Sequence, residues 1–572
     1  MRTTYDFMLE RFILSVDKEL AKFDPASGRL LETDGGWAVT HQDIMLSMAL
    51  LYLTPHPANR YCGDAAFLEQ IGRVGDAYRA FQYEDGKVEF VKIDGSRWGP
   101  IYMPWSMYHW LETCLRLESH MDSERLASWR EGLLLGFEGM YLEQRGLLEQ
   151  LRRDPAAASG HAIHNIPTWN AMALHRAAGM FGKPEWKADA DAMMRAVVEY
   201  QHPDGYWPEH GGPTPLYNLV YVHALGLYRL HGGEVDTLPA LRRAFAFTRL
   251  FMYPDSTLVE TIDGRCKYDH APFLVGLPGI LQAEGGRAWI ADLVKSADAD
   301  AALMYRPHFA ELLRYWPEAL TEEVADAEGM QPSADLQSRT VLANAWVVRE
   351  HGWYFCLSGF TREAVESRWG MDRQSFIGIW HEQAGLIVGG GNSKNQPEWS
   401  TFDVTGAGGF RQYVPDAGEA LAGVPAVRLR YGTRHVTIAL LEVTASRVEL
   451  EVTASLEADD SGVLRLPLQH RADGQLAASF ASAEADGNQT AHGGSGELHA
   501  EAGEGRQRIS GQGWTAWAEG PLRLDWPSFP FNPYAMDGSS DLEHAIAVLA
   551  IPLESLQPKR IVVSLEPFPY GT

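Results

Sequence analysis

Two textures divide the chain. Over its first part, apolar residues recur with helical spacing. The runs Ile44–Tyr52, Trp105–Leu115 and Leu219–Tyr228 are apolar nearly all round, as in helices buried on most sides. Trp186–Tyr200 instead gathers its charges on one face. Alternation of the two kinds predicts two concentric layers of helix. Aromatic, Gly/Pro-rich loops precede apolar helices near Trp37, Trp98, His164, Trp207 and Tyr268. That is a period of roughly 50–60 residues, enough for a helical hairpin and a loop. Asp-Gly turns recur at Asp85-Gly86, Asp204-Gly205 and Asp263-Gly264. Five or six such hairpins closed into a ring make an α/α toroid, and an open helical array shares the same repeat. The texture changes near Ser333–Thr340. Strands are predicted at Val341–Arg349, Val427–Arg430, Val436–Val443, Val448–Thr453 and Ile561–Leu565, separated by turn clusters. Ala481–Glu504, rich in Gly, Ala and Glu, reads as surface loops. The expected architecture is α+β and multidomain: an N-terminal α/α toroid over 1–335, carrying the chemistry, and a C-terminal antiparallel β-sandwich over 336–572.

Composition narrows the functions. A chain of 572 residues is long for one core. Its formal net charge of −26 argues against nucleic acid and against general attraction to anionic membranes. No apolar run reaches transmembrane length. The first ten residues lack a basic-then-apolar leader, so the expected location is the cytoplasm. Cys62, Cys114, Cys266 and Cys356 are far apart and predict buried free thiols, not a disulfide or thiolate zinc framework.

The chemistry gathers in two loops. His161-Ala-Ile-His164-Asn165-Ile-Pro-Thr-Trp169-Asn170 precedes one apolar run. Trp207-Pro-Glu209-His210-Gly-Gly-Pro-Thr-Pro-Leu-Tyr217-Asn218 precedes another. Elimination across a uronic acid requires three things. An amide or cation must bind the carboxylate while enolate charge develops, a base must take the proton beside it, and an acid must protonate the departing oxygen. Asn165, His164 and Tyr217 are of the right types, on loops of neighbouring hairpins.

With these motifs the chain resembles the heparinase II/III-like polysaccharide lyases, including their alginate-lyase relatives. The resemblance implies a toroid followed by a β-sheet domain. It also implies an adjacent Asn and His, here His164-Asn165 in reversed order, with a catalytic Tyr a little over 50 residues on, here Tyr217. The stretch Asp372-Arg-Gln-Ser375-Phe376 through Gly389 resembles the family's β-domain strand and its glycine-rich return. Where family members carry metal ligands, this chain has Trp369-Gly370-Met371 and Gly389. No family-type zinc site and no cofactor are therefore expected.

Other assignments remain open in the sequence. His164-Asn165 also suits a helix cap. His161 and His164 form a metal pair lacking a third ligand nearby. Tyr217 also suits a core position. The candidate substrate contacts are Glu209, His210, Asn218 and Tyr268, the cations Arg97 and Arg265, and the aromatic platforms Trp105, Trp169 and Trp207, with Trp98 beside them. Structural salt bridges and core packing are the competing roles. Trp37, His41, Gln42 and Asp43 form a further polar helix start. The expected activity is a carbon–oxygen lyase producing an unsaturated uronyl end from an acidic oligo- or polysaccharide. The alternatives are a glycoside or unsaturated uronyl hydrolase using carboxylates among Asp43, Glu209, Glu260 and Asp269, a uronyl C5-epimerase, or a carbohydrate-binding scaffold.

Overall fold

The computed structural model describes residues 3–33, 35–91, 96–158, 162–209, 211–266, 268–296, 306–316, 338–363, 366–372, 375–469, 475–480, 487–492, 498–502 and 506–565. The chain forms two compact units. The first comprises Met1–Pro208, Tyr217–Thr248 and Ala271–Gly329. The second comprises Glu209–Leu216, Arg249–His270 and Met330–Thr572.

The first unit is helical. Its three apolar runs fall in helices Ile44–Leu53, Pro104–Leu117 and Pro215–Leu230, which form an inner set together with Asn165–Phe181, Leu277–Ile280 and Arg306–Tyr315. In the first of these, every residue from Ile44 to Tyr52 is buried. Neighbours pack in chain order, and Arg306–Tyr315 returns to pack on both Ile44–Leu53 and the first helix, Thr4–Leu20. Phe309 stacks on Phe12 at 6.0 Å, and the Arg306 guanidinium donates to the Ser15 carbonyl. Three of the other helices, Thr4–Leu20, Ala65–Ala80 and Ser123–Arg153, are amphipathic and begin on acidic or hydroxyl caps: Thr3 with Asp6, Asp64 to the Phe67 amide, and Asp122 to the Arg125 amide.

The internal repeat has a structural basis in a glutamine and a glycine. Gln82 donates to the carbonyls of Gly86 and Gly132, and Gln201 donates to those of Gly205 and Ala240. Gln42 repeats the device with Gly28 and Val74. In each case a turn is fastened to an outer helix. The glycines lie at φ +71°, +86° and +94°, pressed against that helix's backbone. A Cβ on Gly205 would sit 2.3 Å from the Arg243 carbonyl oxygen. We expect Gly205→Ala to cost at least about 1–3 kcal/mol by overpacking and backbone strain. Gly232→Ala, at φ +76° with open space around it, should lose only the smaller backbone term. Melting temperatures of the two variants test this, and equal losses would dismiss the contact. The third Asp-Gly pair is a different device. Gly264 lies in the second unit, and the Asp263 carboxylate accepts from the backbone amides of Arg265 and Cys266.

The second unit is built on antiparallel sheets. Among the described residues, one has eleven strands and another nine. The larger runs as consecutive hairpins from Ser338–Leu342 to Gly385–Val388, then through Ser461–Leu468 to Ile546–Leu553 and Leu522–Ser528. The smaller is centred on Arg434–Val443, Arg447–Ser455 and Lys559–Leu565. Strict alternation in Arg447–Ser455 buries Val448, Leu450, Val452 and Ala454. These join Phe355, Ile379, Leu466 and Leu549 of the larger sheet in one hydrophobic cluster.

Three expectations change. The run Val341–Arg349 is two strands, not one, because Ala343 and Asn344 take φ of +48° and +56° and turn the chain. The Asn344 amide secures the turn by donating to the carbonyls of Gly359 and Gly418. Ala481–Glu504 contains strands Gly487–His492 and Leu498–Ala502. Each is an edge strand needing a single neighbour, so a weak hydrophobic pattern suffices. All four cysteines are free, but only Cys114 and Cys356 are buried. No described helix is long and apolar enough to cross a membrane.

Candidate functional site

In the helical unit, His164 is the N-cap of helix Asn165–Phe181. Its side chain makes no capping bond, while its carbonyl accepts from the Thr168 amide and hydroxyl. The cap is thus made by backbone. Asn165 opens the helix and is half-buried. Tyr217 lies in the first turn of Pro215–Leu230 and is also half-buried. The Trp169 indole donates to the Val220 carbonyl at 3.2 Å. Trp169 is one turn beyond Asn165, and Val220 is three residues beyond Tyr217. The starts of the two helices therefore lie within about a turn of one shared contact. Backbone N–H groups at such starts are unpaired along the helix and favour negative charge.

Several expected substrate contacts are part of the protein's own packing. Trp207 is fully buried, stacked on Tyr221 at 5.1 Å, with its indole donating to Val197. Trp169 is buried as well, and its ring packs on His223 at 5.2 Å. Asn218 is buried and donates to the Ala244 carbonyl. None of the three offers a face to a sugar. Trp105 remains half-buried beside Phe90, and Arg97 and Trp98 are exposed on the hairpin strand Arg97–Ile101. His161 and His210 lie outside the described residues.

In the second unit, Arg265 and Glu209 come together at 3.2 Å. The loop holding Glu209 is anchored there by the Gly264 amide, which donates to the Pro213 carbonyl, and by Phe360, whose ring leaves no room for a Cβ on Gly212. Arg265 also lies 5.9 Å from the Trp369 ring. Arg362 donates to the carbonyls of Gly264 and Met371, and burial lowers its pKa. The glycine-rich return has a definite role: the Gly390 amide donates to Glu260, which also accepts from the Tyr253 hydroxyl. Tyr268 shares a hydrogen bond with Thr257, and burial, then Asp255, raise its pKa strongly. Of the four carboxylates weighed for hydrolysis, Glu209 and Glu260 hold internal partners, Asp269 is exposed, and Asp43 lies in the helical unit.

The sequence reading missed a polar cluster inside the helical unit. His109, His223, His308 and Glu311 come from three inner helices, with Asp43 at the start of a fourth. The His223 ring lies 4.4 Å from that of His308, and His109 lies 5.3 Å from His308. The carboxylate of Asp43 is 3.6 Å from His109 Nδ1. Burial, then the neighbouring His223, push the His308 pKa down to about 3. Burial pushes the Glu311 carboxyl up, but His223 and His308 outweigh it and hold the group well below the usual range. The signal was a single histidine in each of two largely apolar runs, Trp105–Leu115 and Leu219–Tyr228.

Solved structures share this architecture. The Streptomyces coelicolor A3 chondroitin AC lyase in complex with chondroitin sulphate is 14% identical, with a TM-score of 0.56 over 98% of this chain and 79% of that one. Heparinase III is 12% identical, with a TM-score of 0.53 over 97% and 85%. A Paenibacillus xanthan lyase is 11% identical, with a TM-score of 0.52 over 99% and 57%. The chain has the fold of these polysaccharide lyases. No protein-family model matches it, and neither does any curated protein sequence.

Proposed function

We propose that this chain is a polysaccharide lyase that cleaves a uronic-acid-containing glycan by β-elimination. On this reading residues 1–335, apart from the segments Glu209–Leu216 and Arg249–His270 that cluster with the second unit, form a catalytic toroid of five or six hairpins, and 336–572 an antiparallel β-sandwich. The return of helix Arg306–Tyr315 onto Thr4–Leu20 and the hydrophobic cluster drawn from both sheets support it. The observation carrying the chemistry is the Trp169–Val220 bond, which ties the helix starts bearing Asn165 and Tyr217 to a common level.

The Asn165 amide donates to the uronate carboxylate and, with the helix N-terminus, stabilises the enolate. His164 and Tyr217 divide the two proton transfers. One takes the proton on the carbon beside the carboxylate. The electron pair forms the new carbon–carbon double bond, the bond to the glycosidic oxygen breaks, and the other residue protonates that oxygen. Arg97, Trp105 and Tyr268 remain proposed substrate contacts, as do His210 and the Glu209–Arg265 pair.

The test is an ultraviolet absorbance screen of the purified chain against uronate-containing polysaccharides and their oligomers. The expected result is a rise from the conjugated acid with at least one polymer. New reducing ends without absorbance would mean hydrolysis. Deuterium uptake without cleavage would mean epimerisation. Either outcome replaces the elimination reading.

A further inference from the structure

The cluster inside the helical unit is more than a set of satisfied core histidines. His109 is 1% exposed, and neither ring nitrogen has a hydrogen-bond partner. Glu311 is 2% exposed, and its Oε1 also lacks one. Desolvating such groups without a partner costs about 1–3 kcal/mol each, more for a charge. That two residues of one compact cluster carry such groups requires an explanation.

The tautomer of His223 sharpens the point. The Gly276 backbone amide can only donate, and it lies 3.1 Å from His223 Nδ1. Nδ1 therefore accepts, Nε2 carries the proton, and it donates to Glu311 Oε2 at 2.6 Å. One carboxylate oxygen is thus fixed by an imidazole, while the other has no hydrogen-bond partner. A hydrogen-bond donor behind a metal-binding carboxylate orients it in this way.

We propose that His109, His308 and Glu311 bind a divalent first-row transition ion, zinc being the natural occupant, with His223 orienting Glu311. One donor atom from each of the three residues lies within 4.8 Å of the others. Bond lengths of about 2.0–2.2 Å to nitrogen and carboxylate oxygen require these atoms to close by roughly 1 Å, which side-chain rotation provides. Two imidazoles and a carboxylate suit zinc and its neighbours, not calcium or magnesium, which take oxygen ligands. Asp43, beside His109, stands where it orients that ring or supplies a fourth ligand.

The ion would be structural. Its ligands join helix Pro104–Leu117 to Arg306–Tyr315, the helix that also packs on Thr4–Leu20. It would fasten the place where the helical array returns to its start. The site is separate from the residues proposed for elimination, so its test does not depend on activity.

The full chain is purified from zinc-supplemented medium, dialysed against a weak chelator and analysed by inductively coupled plasma mass spectrometry. The expected result is about one zinc per chain and a melting temperature lowered by a strong chelator and restored by zinc. Glu311→Gln preserves the shape and the bond from His223, and should retain at least tenfold less metal. His109→Asn should do the same. If both variants fail to fold, Co2+ added to the chelator-stripped wild type decides. Visible d–d bands of a tetrahedral or five-coordinate site, displaced by zinc, support the proposal, and the spectrum of hexa-aquo cobalt alone overturns it. A metal-free wild type insensitive to chelator overturns it too. So does undiminished zinc in both variants.

Discussion

Tyr217→Phe is expected to remove the ultraviolet-absorbing product while leaving the fold and substrate affinity in place. The change deletes one hydroxyl at a half-buried position, in the first turn of a helix whose later turns pack in the core of the unit. Losing a positioned acid or base typically costs 10²–10⁴ in rate, about 3–5 kcal/mol in the barrier. The loss should fall on kcat, with KM changed little, because the hydroxyl acts mainly in the transition state. Asn165→Asp gives a complementary profile. A carboxylate facing the substrate's carboxylate repels it, so both KM and kcat should suffer. Initial rates of absorbance increase, with melting curves run in parallel, separate these patterns. If Tyr217→Phe retains wild-type turnover, Tyr217 is not the acid or base.

Periodicity revealed the first-order fold because it follows directly from burial. Helices apolar all round, such as Ile44–Leu53, lie inside, and one-sided runs, such as Trp186–Tyr200, supply helix Pro184–Tyr200 with charge left exposed. The repeat was visible as aromatic loops and Asp-Gly pairs. The glutamines that produce it were not, since Gln82 and Gln201 act through carbonyls about 40 to 50 residues away. At the site, the helix starts carrying His164, Asn165 and Tyr217 were legible. Which aromatics faced a substrate was not: Trp207 and Trp169 occupy glycine- and proline-rich loop contexts like Trp98, yet only tertiary packing buries them. The histidine cluster was hidden by the same rule that located its helices. A run that is apolar on nearly every side hides its few polar residues, although a polar group kept in such a run must find a partner.

Glu112 follows that logic to the largest expected loss of stability. It lies within an apolar run and is fully buried, on helix Pro104–Leu117. Three guanidiniums converge on it: Arg116 from the next turn at 2.7 Å, Arg176 of helix Asn165–Phe181 at 2.5 Å, and Arg314 of helix Arg306–Tyr315 at 3.7 Å. One carboxylate therefore holds three inner helices together and offsets charges that otherwise repel. Glu112→Ala leaves those cations facing one another around a cavity. Breaking a buried pair from one side costs about 3–5 kcal/mol, and at about 2 °C per kcal/mol for a unit of this size the melting temperature falls by roughly 6–10 °C. Glu112→Gln keeps an acceptor but not the charge and should lose less. Adding Arg176→Met to Glu112→Ala should recover part of the loss, because it removes one uncompensated cation and fills space. A double-mutant cycle with no such recovery would show the cost to be cavity alone. Well below the lowered melting temperature, the Glu112 variants should retain near-normal turnover, since Glu112 touches neither helix start, the reverse of what Tyr217→Phe should do.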